Sequence, residues 1–116
     1  MFDTLLDLSI KINLFITSKE TNKWIYFEFG KIYVRKSKRL YDNNLINCFD
    51  VGTIEIDKNY RGNGFFTMFL NNFIETHPNI NIFIESILNK RLYNYLKNQN
   101  FKPFGNKIDN NLILIK

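Results

Sequence analysis

Apolar residues recur at two spacings along this chain, and the switch between them marks its organisation. Thr53 to Ile56 is a short β-branched-rich run that favours a pleated, extended backbone. From Phe66 the period becomes helical. Phe66, Phe69, Leu70, Phe73 and Ile74 fall on one side, with Thr67, Asn71 and Glu75 on the other. Between the two lies Arg61-Gly62-Asn63-Gly64. Its glycines accept positive φ, and asparagine tolerates it better than most residues. The stretch reads as strand, glycine loop, helix.

The rest of the chain is read in the same way. Leu8, Ile10, Ile12, Leu14 and Ile16 alternate with Ser9, Lys11 and Asn13, which predicts a strand after a short helical start at Phe2, Leu5 and Leu6. Lys23 to Phe29 predicts an aromatic strand, Gly30 its turn, and Lys31 to Arg35 the returning strand. Ser37 to Asn44 reads as a polar, basic loop. Ile46 to Asp57 is the next strand, and Gly52 inside it predicts a bulge or a close approach by a ligand.

After the glycine loop, the helix ends near Thr76-His77-Pro78. Ile80, Ile82 and Ile84 predict a strand parallel to the previous one, because a helix separates the two. Asn89 to Gln99 predicts a second helix with Leu92, Tyr95, Leu96 and Gln99 on one side. Phe101 to Phe104 and Leu112 to Ile115 close the chain as strands around the polar turn Gly105 to Asn111. The last strand, apolar on both faces, is a candidate for pairing across a dimer, so a monomer or a homodimer is expected. The order predicts an α+β fold: a mixed, mainly antiparallel sheet with helices packed on it. No repeat or linker interrupts it, so residues 1–116 are expected to form one domain.

Composition narrows the function. At 45% hydrophobic and 16% aromatic, the 116 residues are globular and not disordered. The net charge of +5 suits an anionic ligand, a nucleic acid or merely good solubility. The cluster Arg35, Lys36, Lys38 and Arg39 reads first as a solvated strand end, so nucleic acid is not the expected partner. One cysteine, Cys48, allows no disulfide within the chain and no cysteine-based metal centre, and no metal is expected. No apolar run approaches membrane-spanning length. The N-terminus, with Asp3 and Asp7, does not read as a signal peptide, so a cytoplasmic protein is expected.

The glycine loop carries the chemistry. A turn that opens a helix points unpaired backbone N–H groups at one spot, and the helix dipole adds partial positive charge there. Gly62 and Gly64 let a ligand approach without meeting a Cβ, and Arg61 offers a planar fork for phosphate oxygens. No Gly-Lys-Ser/Thr follows, so this is not a P-loop. The third glycine of a dinucleotide fingerprint would fall at Thr67, so it is a poor match to that motif too.

Tyr60-Arg61-Gly62-Asn63-Gly64-Phe65-Phe66 resembles the acyl-CoA loop Q/R-x-x-G-x-G/A of the GNAT superfamily of acyl-CoA-dependent N-acyltransferases, in its frequent form Y-R-G-x-G-x-G/A. Asn89 to Phe101 has the length of that family's helix signature, N-x-x-A-x-x-L-Y-x-x-x-G-F. The two segments stand in the family's order with a strand between them, and with the strand before the loop they cover residues 46–104. The resemblance implies a GNAT-like α/β/α fold with a V-shaped splay between two central parallel strands, one ending at Ile56 and the other running from Ile80 to Glu85. It implies acetyl-CoA as co-substrate, its pyrophosphate on the amides from Arg61 to Phe66 and its pantetheine in the splay. Asn89 is the first residue of the helix signature and a candidate cap for that helix.

The departures from the pattern are specific. The last small residue of the loop is Phe66. The signature's small residue is Leu92, its glycine is Asn100, and its tyrosine, an acid in many members, is Leu96.

Direct acylation of an amine needs a base for the nitrogen and an acid for the leaving thiolate. Glu85, at the end of the strand before the second helix, is the first choice for base, at a place comparable to that of several family members. Glu55 is the second, although pairing with Lys58 or another exposed cation competes for it. Asp50 is the third. Tyr95 and Tyr93 are the candidate acids, Tyr95 with burial beside Leu92 as its competing role. His77 reads as a helix-end residue. The sequence thus points to an acyl-CoA-dependent N-acyltransferase acting on a small-molecule or protein amine. The competing reading is a catalytically degenerate binding protein on the same fold.

Overall fold

The computed structural model describes residues 2–116. The elements in chain order are α1 (Phe2–Thr17), β1 (Asn22–Phe27), β2 (Gly30–Tyr41), β3 (Asn44–Ile56), α2 (Phe65–Thr76), β4 (Asn81–Ile84), α3 (Lys90–Asn98), β5 (Lys102–Pro103) and β6 (Leu112–Leu114). The six strands form one mixed sheet in the order β1-β2-β3-β4-β6-β5. Among the described residues, only β3 and β4 pair in parallel. The architecture is α+β, a mixed sheet flanked by helices, as the order of elements predicts.

The main core lies between the sheet and the helices. Leu8, Ile12 and Phe15 of α1, Phe65, Phe69 and Phe73 of α2, and Leu96 of α3 meet Ile32, Val34, Phe49, Val51, Ile82 and Leu112. The opposite face of the sheet holds a smaller cluster of Cys48, Phe83 and Ile113.

Four expectations are corrected. The alternation from Leu8 to Ile16 is not a strand, because α1 continues to Thr17. Leu5, Leu8, Ile12 and Phe15 are buried at helical spacing, while Ile10 and Leu14 face outward. The helix carries apolar residues on more than its buried face, which imitates a period of two. Ser37 to Asn44 is not a loop either. β2 runs on to Tyr41, and the reversal falls on Asp42 and Asn43, both at positive φ. Polar side chains suit that stretch because neither β1 nor a helix covers it.

Gly30 is not the turn but the first residue of β2, opposite Phe27. A Cβ there would collide with the carbonyl of Glu55, so this position needs glycine for close strand approach. The strand Leu112–Leu114 is not an edge: β4 and β5 pair with it on either side. Its two apolar faces reflect burial on both sides, not an exposed surface for a second copy.

Gly52 is a bulge. Tyr33 pairs with Thr53 and Val34 with Val51, leaving Gly52 as the extra residue of β3. The parallel pairing with β4 runs from Cys48 to Val51 and ends there. Beyond the bulge β3 continues to Ile56 with no strand on its β4 side among the described residues. This divergence is the expected splay.

Candidate functional site

The glycine loop is built from below. A single 3₁₀ turn, Lys58–Tyr60, follows β3. The Asp57 amide donates to Phe29 O at 2.7 Å, and the Tyr60 ring stacks on Phe29 at 4.4 Å. The loop base is thereby fastened to the β1–β2 hairpin. Gly62 and Gly64 then adopt φ of 78° and 77°, in the left-handed region. Among the described residues, no atom lies within 4 Å of where a Cβ would stand at either position, so the loop surface is open.

The amide of Phe65 is occupied by the Asn63 side chain at 3.1 Å, which starts α2. Among the described residues, the amides of Gly62, Asn63 and Gly64 have no intramolecular partner. Arg61 folds back, its Nε donating to Ile56 O at 2.8 Å. The guanidinium therefore braces the end of β3, and only its remaining N–H groups face outward.

A cavity of about 450 Å³ opens on this loop. Ile56, Arg61, Gly62, Asn63, Gly64, Phe65, Phe66 and Asn89, the whole expected coenzyme-binding set, lie along it. Tyr60, Thr67, Arg91, Leu92 and Tyr95 complete its wall. A second cavity, about 430 Å³, fills the splay between Val51–Ile54 and Ile84–Asn89, with Glu85 and Ser86 on its rim. Phe66, Asn89 and Leu92 line both cavities, which makes one cleft running from the loop into the divergence of β3 and β4. Asn89 also caps α3, its Oδ1 accepting from the Leu92 amide at 3.1 Å.

The candidate acid–base residues Glu85, Glu55 and Tyr95 are not brought together. Glu85 stands at the splay. Glu55 lies outside that cavity and pairs with Lys31 at 3.5 Å, not with Lys58. Tyr95 is only partly buried and faces the loop end of the cleft, its hydroxyl within 3.2 Å of Asn71 Nδ2. The core position on α3 belongs to Leu96, at 1% exposure, whereas Gln99 is exposed. Leu92 and Tyr95 pack, partly buried, against the same core as Leu96, so of the expected face only Gln99 departs.

Asp50 is no base candidate. Its side chain is fully buried and accepts from Ser37 Oγ at 2.7 Å, Arg39 Nη2 at 2.7 Å and Arg35 Nε at 3.3 Å. Arg35 reaches on to Glu85 Oε1 at 2.9 Å. Arg39 lies flat on Phe83, its Cζ 3.5 Å from the ring centroid. Lys36 crosses Phe15 and donates to Ser18 O. The cluster from Arg35 to Arg39 is therefore not a solvated strand end, because both arginines neutralise a buried carboxylate. The signal was available: Arg35, Ser37 and Arg39 share one face of a strand.

Two groups carry shifted pKa values. Partial burial works to lower that of Arg35, but Glu85, and then Asp50, raise it overall. Cys48 is pushed up to about 11, by burial first and by the charge of Asp50 second, with Arg39 opposing. It is thus an inert core thiol beside Phe83 and Ile113. His77 sits at the C-terminus of α2, its amide donating to Phe73 O and its ring stacked on Phe73 at 4.2 Å.

No family model matches the sequence, and no curated protein matches it. Solved structures match its fold. One is a tyrosine-to-phenylalanine mutant of the AtaT toxin bound to the C-terminus of the antitoxin AtaR and acetyl-CoA, with a TM-score of 0.53 and 18% identity over 74% of this chain and 57% of that one. A second is AtaT complexed with acetyl-methionyl-tRNAfMet, with a TM-score of 0.55 and 16% identity over 75% of this chain and 62% of that one. A third is AtaTR bound with acetyl-CoA, with a TM-score of 0.55 and 17% identity over 90% and 78%. This chain spans less than two thirds of the length of the first two. At such identities the likeness is one of fold, and the fold is GNAT-like.

Proposed function

We propose that residues 1–116 form one acyltransferase domain, which transfers an acyl group, in the first instance acetyl, from coenzyme A to an amine. The observation that carries this reading is the pairing of two features in one cleft. Unpartnered loop amides stand at the start of α2, and a gap without strand partners lies beside the Gly52 bulge. The amides and the helix dipole suit a diphosphate. The unpaired edge of β3 suits the amides of a pantetheine arm, which add to it as a short strand would. Solved structures of the same fold hold acetyl-CoA, which supports the choice of carrier.

Glu85 is the base in this reading. One carboxylate oxygen is held by Arg35, and the side chain remains 36% exposed at the splay. The other oxygen is left to take a proton from the attacking nitrogen. Glu55, paired and outside the splay, has no such role, and Tyr95 works at the coenzyme end of the cleft.

The acceptor is an amine of a small molecule, a protein or an aminoacyl-tRNA. The last joins the list because a neighbour in fold was solved with acetyl-methionyl-tRNAfMet. The test is twofold. Calorimetry at low salt should show acetyl-CoA binding, and its absence would end the proposal. Coenzyme A release should then be followed with polyamines, lysine peptides and methionyl-tRNA as acceptors. Glu85→Gln should lower kcat by about a hundredfold or more while leaving acetyl-CoA affinity unchanged.

A second reading has its own observation. Leu96 is buried and apolar where a family acid would stand, and Phe66, large where the family loop ends in a small residue, lines both cavities. A carrier-binding protein without turnover would show the same calorimetry and no acetyl transfer to any of these acceptors.

A further inference from the structure

Ser86 is the residue of the cleft held in a backbone conformation that serine seldom adopts. Its φ is 53°, in the left-handed region. Three successive amides impose this. Glu85 N–H donates to Val51 O at 3.1 Å, Ser86 N–H to Asn111 Oδ1 at 2.8 Å, and Ile87 N–H to Asn110 O at 3.0 Å. Ile87 is buried and anchors the turn from inside. Glycine would occupy the position with less strain, so what serine adds is its hydroxyl.

That hydroxyl belongs to an exposed residue on the rim of the splay, next in sequence to Glu85. Thr53 is the other hydroxyl residue of that cavity, and it sits within the β3 ladder opposite Tyr33. The phenol of Tyr95 faces the loop end instead. A thioester in the splay releases a thiolate, and a thiolate needs a hydrogen-bond donor and a proton.

We propose that Ser86 is the catalytic hydroxyl that meets the leaving sulfur, an assignment that rests on the acyltransferase reading above. The acceptor nitrogen bonds to the thioester carbonyl carbon and its proton passes to Glu85. The C–S bond breaks with its electron pair on sulfur. Ser86 Oγ–H donates to that sulfur and passes it the proton. Water at the exposed rim returns a proton to Ser86 and takes the one held by Glu85, so the site ends as it began.

Two variants separate this role from a structural one, with acetyl-CoA and whichever acceptor of the named set is acetylated. Ser86→Ala keeps the strained backbone and loses the hydroxyl. Ser86→Gly loses the hydroxyl and relieves the strain. Both should lower kcat by about a hundredfold with unchanged acetyl-CoA affinity, and Ser86→Gly should also melt at a higher temperature than the parent. The deficit should shrink with an acetyl thioester of a more acidic thiol, which needs less help to leave. Unchanged kcat in Ser86→Ala, or activity retained in Ser86→Gly, overturns the role of Ser86 and leaves the acyltransferase reading standing. A parent protein that binds acetyl-CoA without acetylating any of the acceptors overturns both.

Discussion

Arg35 and Glu85 meet across the breadth of a strand. The guanidinium leaves β2, passes over β3 and donates to the carboxylate at the end of β4 over 2.9 Å. Gly52 makes the passage possible. A Cβ there would come within 3.4 Å of Arg35 Nη1 and 3.0 Å of the Tyr33 ring. The same guanidinium is anchored behind by Asp50, so the buried acid governs where Glu85 is held.

Asp50→Ala should therefore be costly. It leaves Arg39 without its carboxylate and Arg35 with Glu85 alone, on a face where Arg39 is stacked against Phe83. We expect a loss of about 3–5 kcal/mol in chemical denaturation, the usual result when one member of a buried ion pair is removed. A change within experimental error would mean that water compensates the arginines.

Gly64→Val should act on the ligand more than on the fold. No neighbour lies within 4 Å of the added Cβ, so its cost is the strain of a positive φ, about 1–2 kcal/mol. The new side chain stands where a diphosphate would approach, and acetyl-CoA affinity should fall by about tenfold or more on calorimetry. Unaltered affinity would place the coenzyme elsewhere.

Arg91 was not foreseen as a ligand residue, yet it lines the loop cavity from the first turn of α3. Arg91→Ala should weaken acetyl-CoA binding and flatten its dependence on salt, because one cation fewer faces the phosphates. A parallel salt series on parent and variant decides it. Equal slopes would exclude contact with phosphate.

Cys48 gives a pH dependence of definite sign. Its pKa is raised in the folded state, from 9.0 to about 11, so the neutral thiol is the favoured form there. Stability is complete below the unfolded value and declines as pH rises through the folded one. Denaturation midpoints should fall between about pH 9 and 11, and Cys48→Ala should lack that part of the decline. A thiol reagent at neutral pH should leave the folded protein unmodified.

The stretch from Val51 to Asn89 was legible because it obeys local rules. A bulge glycine, two turn glycines, a helical stripe of phenylalanines and a capping asparagine each announce a backbone state. Residues 2–16 were not, because α1 presents Ile10 and Leu14 on its exposed side and the alternation then imitates a strand. Glu85 could be picked out by position. Its arginine partner could not, since the contact spans fifty residues and depends on the register of β2 against β3. Ser86 carries no sequence signal, as its unusual φ comes from the asparagines at 110 and 111.

The extra residue in β3 has one more effect. Up to Val51 the strand turns its odd-numbered side chains toward the helices; after Gly52 it turns the even ones, Ile54 and Ile56, the same way. The bulge thus works as a phase shifter. Delete Gly52 and the ladder would close up, Thr53 opposite Tyr33 and Val51 opposite Val34, with Ile54 and Ile56 still facing the helices. The fold should therefore tolerate loss of that one residue, and what the bulge itself supplies is the change of course at which β3 parts from β4.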